Sequence, residues 1–140
     1  MLYKANGILR YSVVDVGYKL IVEVDQGLAD YYRALIPKYK EVNRQRYGAH
    51  ISVVRKEVPP NLEKWGEYEG EEIEFWYDNT IHNGQVYWWL NCFSKRLEEV
   101  RTELGLPVSS LYTRPPDSFV KCFHLTLGNV KHNIMAGNVG

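Results

Sequence analysis

Apolar positions fall into short runs separated by turn signals, and their period switches between two and 3.6 along the chain. Residues 8–12 and 18–24 alternate in part between apolar and polar, with Asp15-Val16-Gly17 between them, which predicts a hairpin or meander. After Asp25-Gln26-Gly27, the residues Leu28, Tyr31, Tyr32, Leu35 and Ile36 recur at the spacing of one buried helical face. Pro37 ends that helix or kinks its last turn. A polar loop over 41–48 leads into Ala49-His50-Ile51-Ser52-Val53-Val54, a β-branched run that reads as a strand. Pro59-Pro60 breaks the chain, 62–70 is an acidic connection, and 72–77 reads as another strand. The turn dipeptides Asp78-Asn79 and Asn83-Gly84 precede 86–93, whose nearly continuous apolar character suits a central strand. Ser94 is an N-cap, and Leu97, Val100, Arg101 and Leu104 carry one helical stripe that Gly105 and Pro107 stop. The last clear strand is 120–127, followed by a segment rich in Asn and Gly.

The order strand, helix, strand occurs twice, first as 18–24, 28–36 and 49–54, then as 86–93, 95–104 and 122–127. Each copy closes on a strand that holds a histidine. The expectation is one α+β domain over residues 1–130, duplicated and pseudo-symmetric, with two antiparallel sheets facing a central groove and helices outside. Residues 131–140 are expected to be a flexible tail or a cover for the groove.

The two closing strands share one form. His50-Ile51-Ser52-Val53 and His124-Leu125-Thr126-Leu127 both read His, apolar, hydroxyl, apolar. Side chains alternate faces along a strand, so each motif offers an imidazole and a hydroxyl on one side, about 7 Å apart at their Cα atoms. Two imidazoles across a scissile phosphate can work as general base and general acid, one taking a proton from the nucleophile and one giving a proton to the leaving oxygen. The hydroxyls can hold the non-bridging oxygens as charge develops. This chemistry calls for no metal. One His-x-Ser/Thr carries no weight, since structural histidines on strands are common; two copies closing equivalent units do. Gly48 and Gly128 suit a groove where backbone approaches a ligand.

Composition refines this picture. The 140 residues suit a single domain, and seventeen Lys+Arg balance seventeen Asp+Glu, which speaks against a broad binder of duplex DNA. Charge is uneven locally. Residues 30–56 hold seven basic and two acidic side chains, and 57–78 hold eight acidic ones against Lys64. Most of these read as solvated surface; the alternative is a basic rim beside a phosphorylated ligand. Eleven Tyr, four Trp and four Phe supply core area and, given a site, stacking platforms for bases. Two cysteines make no disulfide scaffold, so a reduced, cytoplasmic setting is expected. Residues 1–6 lack a signal-type apolar run, and no stretch reaches the eighteen or so apolar residues of a membrane span, so no membrane partner is expected. His82 and His132 read as surface residues, Cys92, Trp65, Trp88 and Trp89 as core, and Cys122 as a packing residue on the face of His124. C-x-x-C, Walker and G-x-G-x-x-G motifs are absent, and the expectation is no cofactor and no metal.

The paired motifs and the duplicated order resemble the 2H phosphoesterase superfamily, small metal-independent enzymes acting on cyclic phosphates and phosphodiesters of nucleotides and RNA. The resemblance spans about residues 3–130. The short length, the Tyr-rich first helix and the Phe-His-Leu-Thr-Leu-Gly-Asn ending look most like the phage anti-CBASS cyclic-oligonucleotide phosphodiesterases, which degrade the cyclic di- and trinucleotide messengers of a bacterial immune system. The resemblance implies His50 and His124 as the acid–base pair and Ser52 and Thr126 as phosphate-holding hydroxyls, with Ser52 standing where many members have Thr. It implies Tyr11 and Trp76 as base contacts, with Tyr18, Tyr77, Tyr87 and Trp88 competing for that role. The C-terminal acidic base contact of that subfamily has no counterpart, because no acid follows Lys131. The implied partner is a cyclic di- or trinucleotide, met by a monomer or weak oligomer in the cytoplasm of an infected bacterial cell. The alternatives are a 2′,5′- or 2′,3′-cyclic phosphodiesterase acting on RNA ends, and a module that binds cyclic nucleotides without cleaving them.

Overall fold

The computed structural model describes residues 1–15, 17–109, 115–116 and 118–132, and it is organised around one long strand. That strand, β1 (Leu2–Val14), pairs with two partners. Its residues 7–14 meet β2 (Gly17–Val24), and its residues 2–8 meet β4 (Glu72–Asp78). Both ladders include Gly7, where a Cβ would run into the Val22 side chain and the Glu23 carbonyl, so the close crossing requires glycine.

From β2 the sheet continues to β3 (His50–Glu57), then to β7 (Phe123–Asn129) and β6 (Tyr87–Phe93). β6 returns to β4 through Trp76↔Phe93 and Tyr77↔Cys92, so six antiparallel strands close into a barrel. β5 (His82–Asn83) is an extra two-residue strand on β6. Only two α-helices are present among the described residues, α1 (Gln26–Ala34) and α2 (Lys95–Glu103).

This architecture corrects the expected pair of sheets facing a groove with helices outside. The repeat identifies the strands of each half but not the pairings between halves. Those pairings, β3 with β7 and β4 with β6, close the ring. β1 is also far longer than the expected 8–12, and its added length supplies the edge on which β4 pairs.

The alternate apolar residues fill the interior. Leu9, Leu20, Val22, Ile51, Ile73, Phe75, Leu90 and Leu125 are wholly buried and share one core with Ala29 and Tyr32 of α1 and with Leu97, Val100 and Leu104 of α2. Ser94 caps α2, its Oγ accepting from the Leu97 N–H at 3.3 Å. Arg101, on the buried stripe of α2, donates to both Glu57 carboxylate oxygens at 2.8 and 2.9 Å and to the carbonyls of Val53 and Pro107 at 2.7 and 2.8 Å. Among the described residues no helix is long and apolar enough to cross a membrane.

Three β-bulges set which side chains face out. Leu20 pairs with Val54 and Ile21 with Ser52, which leaves Val53 as an extra residue in β3. A second bulge, at Lys56 with φ 57°, lies between the pairs Lys19↔Arg55 and Tyr18↔Glu57. In β7 the extra residue is Leu127, between Trp88↔Gly128 and Trp89↔Thr126.

Candidate active site on the β3–β7 seam

The single pair joining β3 to β7 is Ile51↔Leu125, both wholly buried. In the antiparallel sense this places His50 across from Thr126 and Ser52 across from His124, all four facing away from the core. The result is a four-cornered polar cluster, with the two imidazoles on one diagonal and the two hydroxyls on the other. Diagonal neighbours of an antiparallel pair lie about 7–8 Å apart at Cα, a span that admits a phosphate between two rings. The structure thus brings His50, Ser52, His124 and Thr126 together.

All four line a cavity of about 960 Å³. A smaller cavity of about 320 Å³ shares Ser52, Arg55, His124 and Thr126 with it, so the two adjoin along these residues. Residues 43–47 of the loop 41–48 form another wall. It docks on β7 through the bridge Asn43↔Asn129 and a 2.9 Å hydrogen bond from Asn129 Nδ2 to Gln45 Oε1. Gly128 permits this approach, since a Cβ there would overlap the Asn43 carbonyl and the Val42 side chain.

The large cavity is lined by Lys19, Arg44, Arg46, Arg55, Lys56 and Lys131, with no Asp or Glu among the described residues that line it. Four of these cations come from the basic stretch 30–56. Four of the eight carboxylates in the acidic stretch that follows are paired elsewhere: Glu57 with Arg101, Glu69 with Arg10, Glu71 with Arg96 and Glu74 with Lys4. Arg44 is paired with Asp30 at 2.7 Å, and the remaining cations give a chain with no net charge a positive rim over one cavity.

His50 Nδ1 lies 2.9 Å from the Gly48 carbonyl. A carbonyl only accepts, so Nδ1 carries the proton and the neutral ring keeps its lone pair on Nε2. Burial holds His50 below the ordinary imidazole range and Lys19 and Arg55 add to this, while the Gly48 bond opposes it. His124 is lowered first by burial, then by His82 and Lys121. The Trp89 ring packs on His124 at 5.1 Å between centroids. Trp89 is held in turn, its Nε1–H donating to Asn91 Oδ1 at 3.1 Å, while Asn91 Nδ2 donates to His82 Nε2 at 3.1 Å. The resting site therefore favours two neutral imidazoles, and an anion between them would favour their charged forms.

Tyr11 and Trp76, the expected base contacts, lie away from both cavities. Tyr11 packs edge-on against Trp65 at 5.0 Å, and burial pushes its phenol up to about 12. Trp76 stands on β4 opposite Phe93, with Lys4 Nζ 5.9 Å from its ring centre. Of their competitors, Tyr18 and Tyr87 line the large cavity. The sequence reading missed Tyr47 and Trp89, which also line it, and Lys19, Arg46 and Arg55; the basic stretch 30–56 was the available signal for the last two. His132 lines the cavity beside Asn43, and Cys122 lines the smaller one, while Cys92 is buried. His82 is not a bare surface residue, being tied to Asn91. Of the expected tail or groove cover, Lys131 and His132 line the cavity and residues 133–140 lie outside the described residues. Among the described residues no group of three or more His, Cys, Asp or Glu is placed to hold a metal ion.

Comparisons with family models, with curated proteins and with solved structures return no match for this chain.

Proposed function

We propose that the chain is a phosphodiesterase that opens 3′,5′-linkages of cyclic di- and trinucleotides by imidazole acid–base catalysis, without a metal. One observation carries this reading: a diagonal of two imidazoles and two hydroxyls inside a cavity rimmed by Lys and Arg with no lining carboxylate among the described residues. The resemblance of the paired motifs to 2H phosphoesterases supports it. In a phage-infected cell, such cleavage would remove the messengers of antiphage immunity.

In the mechanism, His50 Nε2 takes the proton of a ribose 2′-hydroxyl, since Nδ1 is committed to the Gly48 carbonyl. The 2′-oxygen attacks the adjacent phosphorus, and the bond from phosphorus to the 5′-oxygen of the next nucleotide breaks. Protonated His124 gives its proton to that departing oxygen. The products are an opened chain ending in a 2′,3′-cyclic phosphate and a free 5′-hydroxyl. Ser52 and Thr126 donate to the non-bridging oxygens. Attack by water would use the same residues.

The test is incubation with EDTA and a panel of 3′,3′-linked cyclic di- and trinucleotides beside an RNA ending in a 2′,3′-cyclic phosphate, resolved by chromatography. Cleavage of the rings is expected, with turnover falling by about 10²–10⁴-fold in His50→Ala and in His124→Ala. Consumption of the RNA end alone would move the substrate to RNA processing. Unchanged ligands that still bind would make the chain a sequestering module. Near-normal turnover in His124→Ala would refute the mechanism.

A further inference from the structure

The smaller cavity is a built site in its own right. Two of its charged lining residues are spoken for, because Glu57 accepts from both Arg101 Nη groups and the Arg101 side chain is only 4% exposed. The other two, Arg55 and Lys121, form no salt bridge with any carboxylate among the described residues. Lys121 is not a loose surface lysine. The backbone N–H groups of Val120 and Lys121 both donate to Glu98 Oε2, at 2.8 and 3.1 Å, and Glu98 is buried. The Lys121 ammonium is half-buried near the Phe123 ring, 5.5 Å from its centre. Burial lowers its pKa and the Arg101 guanidinium lowers it further, while the Glu57 carboxylate opposes both.

Withdrawing the Lys121 ammonium part-way from water costs free energy unless a partner offsets it, and the exposed Arg55 stands on the same cavity. Here the one lining carboxylate is already engaged, so the cavity carries two positive charges that an anion would neutralise. The anion and the phosphate at the imidazoles would belong to one ligand, because Ser52, Arg55, His124 and Thr126 line both cavities.

We propose that Arg55 and Lys121 form a second phosphate subsite, holding the phosphate that does not react in a ligand with two phosphodiester groups. The proposal rests on the reading above for the first phosphate. It supplies a physical reason for preferring cyclic oligonucleotides over esters of a single phosphate: the second phosphate adds a charge-assisted contact that the smaller compounds lack.

The experiment compares the wild type with Lys121→Gln. Calorimetry measures binding of a phosphorothioate cyclic di-AMP, with two phosphates, and of linear ApA, with one. The variant is expected to keep the wild-type melting midpoint and to lose about tenfold or more in affinity for the ring, with the affinity for ApA hardly changed. Equal losses on both ligands, or none on either, would overturn the subsite. A second arm stands apart from the nucleotide reading. Inorganic pyrophosphate is titrated into the wild type and into His50→Gln, following the amide signals of Val120 and Lys121 by NMR. Shifts in both proteins that vanish in Lys121→Gln support the subsite even if no nucleotide binds. Unmoved signals overturn it whatever the nucleotides do.

Discussion

Both imidazoles sit below their ordinary value of 6.5 because the surroundings disfavour imidazolium. In the ligand-free protein this means that each binds fewer protons folded than unfolded. Their contribution to stability is complete above about 6.5, and it is lost as pH falls through that value toward the folded ones. A phosphate between the rings reverses the preference, so ligand binding takes up protons. Affinity for a non-hydrolysable phosphodiester is therefore expected to strengthen as pH falls from alkaline through neutral. Calorimetry in two buffers of different ionisation heat reads the uptake directly, and zero uptake would remove the imidazoles from contact with the phosphate. The motif residues themselves were legible in the sequence, because alternation along a strand is a local rule that puts His50 with Ser52 and His124 with Thr126. The place of Tyr11 was not legible, because no local rule distinguishes a tyrosine packed on Trp65 from one lining a groove.

The element that decides the cationic face is β3, and its decisive feature is the bulge at Val53. Strict alternation from His50 would have turned Arg55 toward the core, whereas the extra residue returns it to the face of His50 and Ser52. Sequence periodicity cannot reveal this, since the bulge depends on pairing with β2 and on a donor from α2. That donor is Arg101, which satisfies the Val53 carbonyl and clamps Glu57 at the strand end. Arg101→Met is expected to cost about 3–5 kcal/mol in chemical denaturation, because it leaves a buried carbonyl without its donor and a carboxylate without its partner. A pH signature accompanies the loss. The Arg101 guanidinium holds the Glu57 carboxyl below the usual carboxylate range, so this pair stabilises the fold above about 4.5 and ceases to as pH falls through the folded value. The variant should lose that part of the acid dependence, and an unchanged acid limb would show that the pair contributes nothing. By contrast, α2 was legible from end to end, since its cap, apolar stripe and stop are local signals.

At the scale of the whole molecule, closure depends on two thin seams. Eight residue pairs join β1 to β2, whereas one joins β3 to β7 and two join β4 to β6. Such pairings between distant segments leave no periodic mark, so the strands were legible and the barrel was not. The candidate site straddles the thinner seam, with His50 and Ser52 on one strand and Thr126 and His124 on the other. A ligand that touches all four residues adds cross-strand contacts where backbone hydrogen bonds are fewest. It also stabilises the folded state as a whole, by about 2.7 kcal/mol at a hundredfold excess over Kd. These two effects separate in amide exchange. Without ligand, exchange near Ile51 and Leu125 should be faster than in the β1–β2 ladder, because local opening there breaks few bonds. With a non-hydrolysable cyclic dinucleotide, protection should rise most at the β3–β7 seam and least at the β4–β6 seam, which the ligand does not touch. Equal gains at both seams would reduce the effect to global stabilisation. No gain at Ile51 and Leu125 would mean that the ligand does not bridge the strands, and the paired motifs would then lose their shared phosphate.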